Sequence, residues 1–209
     1  MPNWCNNFVE VSHENPEKIR ALADAMNRGE FCSHVIPTPK DLTDTVAGYP
    51  GEDQREAHEA QMRRNLELYG AKDWYDFQTS NWGTKWDVGG DCQADVSDDG
   101  LSMNASFDSA WSPPVGVYEE LVNQGYHVVG YYYESGMAFC GVYDNGSDEY
   151  WEIGDMSADE VEATIPGELD DMFCISEGIR EYQEEQEEEL TEWINEGVEQ
   201  RKSLGLVTE

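Results

Sequence analysis

Few residues in this chain have the type and spacing to do chemistry. Between Asn81 and Asp87 the sequence NWGTKWD sets two tryptophans, Trp82 and Trp86, around a glycine and Lys85, with Asp87 two positions after the lysine. Aromatic side chains on a glycine-bearing loop can form a ligand platform, or they can seal one end of a core while their indole N–H groups find acceptors. Lys85 and Asp87 can act as a charged pair in a pocket walled by this loop and by AWSPP, residues 110–114, although a surface ion pair is the commoner outcome of that spacing. The four histidines and five cysteines are scattered without a C-x-x-C pair. No zinc site is expected, and the thiols read as mostly reduced, buried small hydrophobes. Two acidic groups, Asp95, Asp98 and Asp99, and Asp144, Asp148 and Glu149, offer hard oxygens. Neither follows the EF-hand spacing, and both fall at turns. No nucleophile–base arrangement, phosphate loop or dinucleotide fingerprint is present, so the expectation is a protein that is not an enzyme and takes no metal or cofactor.

Charge is the densest chemistry in the sequence. Against 45 acidic residues stand 12 basic ones, a formal net charge of −33, which repels nucleic acid and anionic lipid and attracts basic partners. The excess runs through the whole chain, with 23 acids and 9 bases in residues 1–143 and 22 acids and 3 bases in residues 144–209. From Glu177 to Glu199 there are ten glutamates and one arginine, Arg180. As a helix these 23 residues span about 34 Å, or one net negative charge per ~3.8 Å. One DNA strand carries a phosphate per ~3.4 Å. Glu181, Glu185, Glu188, Glu192, Glu196 and Glu199 recur three or four apart and form an anionic ridge, the candidate partner-binding site. A solvated helix face is the plainer explanation of such a run, and like-charge repulsion of a few tenths of a kcal/mol per pair does not decide between them.

The elements that must position these groups follow from periodicity. Trp4–Ser12 alternates as a strand, with Cys5, Val9 and Val11 on one face and Trp4 and Phe8 on the other. Asn15 and Pro16 open a helix whose Ile19, Leu22, Ala23 and Met26 form one stripe, ended by Gly29. Phe31–Ile36 reads as a short extended segment closed by Pro37 and Pro39. Residues 37–85 look like an insertion containing a surface helix, Glu52–Tyr69, with a thin stripe of Met62, Leu66 and Tyr69. Cys92–Val96, the turn Asp98–Asp99–Gly100 and Leu101–Asp108 make a hairpin that points Leu101, Met103, Ala105 and Phe107 at the core. Pro113 and Pro114 start a second helix carrying Tyr118, Leu121 and Val122, and Gly125 stops it. The strand His127–Glu134 places Tyr131 and Tyr133 on one face and Tyr132 on the other. With Trp82 and Trp86, Tyr131 and Tyr133 are the alternative binding residues, since sheet aromatics can stack bases, though this chain lacks the cationic groove such domains use. Met137–Tyr143 and Glu149–Ile153 extend the sheet across turns at Ser135–Gly136 and Asn145–Gly146. Past Gly154 the pattern is helical: a capping box at Ser157, a stop at Pro166, and a long helix to Lys202. Its Ile179, Tyr182, Leu190, Trp193, Ile194 and Val198 are expected to dock as one stripe. The chain lacks an apolar run of about 20 residues, and its start lacks signal-peptide features. A cytoplasmic protein without a membrane partner is expected.

Four stretches, MPNWCNN, NWGTKWD, FDSAWSPP and YYYESGMAFCG, together resemble the YubB-type ferredoxin-like domain of plasmid and bacteriophage proteins, over roughly residues 1–143. That family has no established activity. The resemblance implies a mobile-element origin and a ferredoxin-like βαββαβ sheet with helices on one face. It also implies no iron–sulfur centre, because clustered cysteines are missing. The expected organisation is therefore an α+β domain at 1–154, with an insertion and an extra hairpin, followed by an acidic helical extension at 155–209. The expected function is a non-enzymatic, phage-encoded inhibitor of a host defence or nucleic-acid-processing factor. It would capture a basic host protein or nucleic-acid-binding complex in the host cytoplasm by an acidic, nucleic-acid-mimicking surface, without touching nucleic acid directly. The alternative is a structural or homo-oligomeric module whose acidic helix serves solubility, and an enzyme of unknown type ranks third.

Overall fold

The computed structural model describes residues 2–203, without the side chains of residues 199, 202 and 203. The chain divides into two compact units, Met1–Gly154 and Asp155–Glu209. In the first, six strands form one antiparallel sheet: β1 (Trp4–Ser12), β2 (Asp95–Val96), β3 (Ser102–Ala110), β4 (His127–Glu134), β5 (Phe139–Asp144) and β6 (Ser147–Glu152), in the order β2-β3-β1-β4-β5-β6. The class is α+β.

Two helices cover one face of this sheet. In α1 (Pro16–Arg28) the Asn15 side chain accepts the Glu17 N–H at 2.9 Å, and Gly29, at φ 73°, turns the chain away. Its Ile19, Leu22, Ala23 and Met26 are buried with Val117, Tyr118 and Leu121 of α6 (Val115–Asn123), against Val9, Val11, Met103, Ala105, Phe107 and Val128 of the sheet. Each large side chain so buried contributes about 1.5–3 kcal/mol. The other sheet face carries Trp4, Asn6, Phe8, Tyr131 and Tyr133, as the alternation of β1 and β4 requires.

The residues between α1 and β2 are helical where they are regular: α2 (Phe31–Val35), α3 (Lys40–Thr43), a 3₁₀ turn (Glu52–Gln54), α4 (Arg55–Tyr69) and α5 (Trp74–Asn81). The expected extended segment at Phe31–Ile36 is therefore corrected to a helix. Its cause lies far along the chain, because the Asp87 carboxylate accepts the N–H groups of Cys32 at 2.7 Å and Ser33 at 3.1 Å and caps the helix start. The hairpin is also shorter than expected. Only Asp95 and Val96 pair with β3, opposite Asn104 and Met103, and Leu101 sits in the turn, exposed rather than in the core.

The second unit holds α7 (Ala158–Thr164), α8 (Gly167–Phe173) and α9 (Ile175–Ser203). Ser157 and Glu160 form a reciprocal capping box at the start of α7. Buried Asp170 caps α9, accepting the Ser176 N–H at 2.7 Å and hydroxyl at 2.6 Å. Within the second unit the expected docking of the long helix's apolar stripe is not seen beyond its first turns. Ile179 is half-buried, but Tyr182, Leu190, Trp193, Ile194 and Val198 are exposed, Trp193 by 72%. Among the described residues no helix is long and apolar enough to cross a membrane.

Removing the remote cap tests this account of α2. Asp87→Ala is expected to lower the unfolding free energy in urea by about 1–2 kcal/mol. A change within error of zero contradicts the capping role.

Candidate functional site

The anionic ridge lies on α9. Glu181, Glu185, Glu188, Glu192 and Glu196 are all exposed; the Glu199 side chain lies outside the described residues. Arg180, the one cation within this run of glutamates, is taken up by α7, bonding Glu162 at 2.7 Å and lying 3.5 Å from Asp159. The hydrogen bond and charge of Glu162 hold its guanidinium above its ordinary value. No ridge glutamate forms an ion pair among the described residues. The ridge is thus a line of uncompensated charge opposite an exposed apolar stripe.

The four aromatic residues of the alternative face do not form one surface. Trp82 is buried, its indole N–H donating to the Ile36 carbonyl at 2.8 Å, and it seals the core. It is thereby removed from the candidate binding residues. Trp86 is exposed and lies against Trp4 with ring centroids 6.1 Å apart. Tyr131 and Tyr133 are half-buried on the sheet, Tyr131 beside Phe8 at 6.4 Å, and burial raises the Tyr133 phenol.

Lys85 and Asp87 do not pair. Asp87 is committed to the start of α2, whereas Lys85 holds its Nζ 4.7 Å from the Trp86 ring centroid and 5.6 Å from that of Tyr75. The two loops named from the sequence do meet. The Thr84 hydroxyl donates to the Ala110 carbonyl at 3.0 Å, the Ser112 hydroxyl donates to the Gly83 carbonyl, and the Gly116 N–H donates to the Trp82 carbonyl at 3.2 Å. This close approach requires glycine at two points. A Cβ on Gly116 would stand 2.2 Å from the Asn81 carbonyl oxygen, and one on Gly83 would stand 2.9 Å from that of Pro113. Between the loops lies a cleft of about 240 Å³ lined by Tyr75, Thr79, Gly83, Lys85, Ala110, Trp111 and Ser112.

Trp111 is the residue that sequence reasoning undervalued. It is 46% exposed, and its φ of 75° is left-handed, a conformation that costs a non-glycine residue about 1–3 kcal/mol. Its N–H donates to the Asn3 carbonyl at 3.0 Å, which ties the loop to the start of β1. The AWSPP stretch read as a pocket-walling loop leading into a helix, but nothing local signalled the strained backbone.

In each of the two acidic groups one carboxylate has a structural role. Asp99 accepts from the Leu101 N–H at 3.0 Å and the Ser97 hydroxyl at 2.8 Å, and these bonds hold its carboxyl below the usual range. Asp148 accepts the Tyr132 hydroxyl at 2.9 Å. Among the described residues no three His, Cys, Asp or Glu side chains are grouped so as to hold a metal. All five cysteines are free; burial pushes the Cys5 thiol up to about 12, while Cys174 is exposed.

No family model and no curated protein matches the sequence. Among solved structures the chain is similar to the crystal structure of protein api92 from Yersinia pseudotuberculosis, described with the family model DUF1281. The identity is 13%, the TM-score 0.39, and the match covers 74% of this chain and 99% of that one. A likeness at that distance does not bear on function here.

Paired substitutions test the loop junction. Gly116→Ala is expected to cost more than about 2 kcal/mol, because backbone must move. Trp111→Gly is expected to stay within about 1 kcal/mol of the parent, since relief of strain offsets lost contacts and added chain entropy. Urea unfolding of both variants checks this, and the reverse ranking contradicts it.

Proposed function

We propose that the chain is a non-enzymatic binding protein whose acidic helix α9 occupies a basic, nucleic-acid-binding site on a partner protein. The carrying observation is the ridge of Glu181, Glu185, Glu188, Glu192 and Glu196, exposed and without ion-pair partners among the described residues, beside an Arg180 already paired with α7. The whole run from Glu177 to Glu199 carries one net negative charge per ~3.8 Å, close to the ~3.4 Å phosphate spacing of one DNA strand, and the ridge alone carries one per ~5.6 Å. A ferredoxin-like core forms part of the proposal, supported by the order β2-β3-β1-β4 with α1 and α6 as the two crossovers. The partner's nature, a host defence or nucleic-acid-processing factor met in the host cytoplasm, rests on the resemblance to plasmid and phage domains alone.

A second reading is favoured by the exposed stripe of Tyr182, Leu190, Trp193 and Ile194. An amphipathic helix left open on its apolar side is also what a self-associating module displays. Sedimentation separates the two readings. Under the leading reading the chain is monomeric with and without residues 155–209, whereas an oligomer lost with that segment supports assembly.

The leading reading predicts that affinity capture from host lysate retains a basic protein released by moderate salt and by competing duplex DNA. Changing Glu185, Glu188, Glu192 and Glu196 to lysine is expected to abolish retention with the circular dichroism spectrum unchanged. Retention that survives this reversal moves the contact off the ridge.

A further inference from the structure

The three exposed tryptophans of the first unit, Trp4, Trp86 and Trp111, lie at or beside the cleft between the two loops. Trp4 is paired with Ala110 across the sheet and lies against Trp86, and Trp111 lines the cleft itself. Tyr75, also exposed, lines the same cleft. Core packing does not require this arrangement, because it is Trp82 that is buried in the core here, whereas Trp111 is held in a left-handed backbone and is about half exposed.

The polar groups of the cleft are equally particular. Among its seven lining residues there is one cation and no carboxylate, on a chain with 45 acidic residues. Lys85 is half-buried, rests over the Tyr75 and Trp86 rings, and has no ion-pair partner among the described residues. The Thr79 and Ser112 hydroxyls already donate to the carbonyls of Tyr75 and Gly83, so toward a ligand they offer lone pairs. The cleft therefore presents π-faces, two acceptors and one positive charge. Its complement is a flat aromatic body with N–H or O–H donors and a single anionic group.

We propose that this cleft binds a nucleoside monophosphate, with the base against Trp111, the phosphate on Lys85, and base or sugar donors on Thr79 and Ser112. Aromatic stacking of bases tolerates different base identities, so little selectivity among the four bases is expected. At about 240 Å³ the open cleft is smaller than the ~300–1,000 Å³ of an enclosing ligand pocket, so it seats part of a mononucleotide and leaves the remainder in solvent. A mononucleotide is favoured over a nucleic-acid strand because each further phosphate adds repulsion from a chain of net charge −33. The proposal is independent of the acidic helix and survives if that helix binds nothing.

The test is titration of the full chain with AMP, CMP, GMP and UMP, followed through the indole N–H resonances of Trp86 and Trp111. Adenosine, ribose 5-phosphate and a single-stranded oligonucleotide serve as comparison ligands. The expected result is saturable shifts with each monophosphate and at least about tenfold weaker binding of adenosine and ribose 5-phosphate. Trp111→Gly is expected to weaken the monophosphates about tenfold or more while moving the thermal midpoint by no more than about 4 °C. Lys85→Gln is expected to weaken the monophosphates but not adenosine. No saturation by about 10 mM, or binding unmoved by either substitution, overturns the proposal. An oligonucleotide that binds more tightly than the monophosphates through the same two residues overturns the choice of a mononucleotide.

Discussion

β1 lies between β3 and β4 and is paired with both over nearly its whole length, Val9 standing opposite Ala105 on one side and Gly130 on the other. Because side chains alternate along a strand, this double register decides what every other part of the first unit can do. It places Val9 and Val11 under α1 and α6 and Cys5 against Tyr132 and Phe139, and it places Trp4, Asn6 and Phe8 on the opposite face. A slip of one residue would bury Glu10 in the apolar core and expose Val9. It would also move Trp4 away from Ala110 and separate the start of the chain from the Trp111 loop.

The junction of the 81–87 and 110–116 loops hangs on that register. Trp111 is held by Asn3, the residue before β1, and Thr84 by Ala110, the last residue of β3. Glycines at 83 and 116 let the two backbones come together, and Trp82 fills the space beneath them. The cleft is therefore a consequence of how the sheet ends, with exposed aromatics and one lysine left at its rim. The acidic unit obeys a different logic. Its helix starts at a well-satisfied cap on Asp170 and then runs on with nearly all its side chains in water, so its glutamates act through charge and its apolar residues remain available.

Much of this was legible in local signals. Asn15–Pro16 and Gly29 bound α1 because a side-chain cap and a left-handed residue are local events. The Asp99–Gly100 turn marked the β2–β3 hairpin for the same reason. What was not legible depended on distant atoms. Phe31–Val35 is helical because a carboxylate 55 residues away, on Asp87, caps it, so the apolar run alone suggested a strand. Trp82 and Trp86 are four positions apart in one motif, and only the tertiary structure sends one into the core and leaves the other outside. The left-handed backbone of Trp111 has no sequence marker, since glycine is the residue that usually announces it. Periodicity identified the stripe of α9 correctly as amphipathic, yet periodicity carries no information about whether anything covers it.

The ridge of α9 is the proposed surface that meets a partner. Hydrogen–deuterium exchange on the chain bound to a captured partner tests it most directly. Slowed exchange across residues 181–196, matched by protection at the partner's nucleic-acid-binding groove, is the predicted result. Protection confined to the first unit, with α9 exchanging as in the free chain, would contradict it.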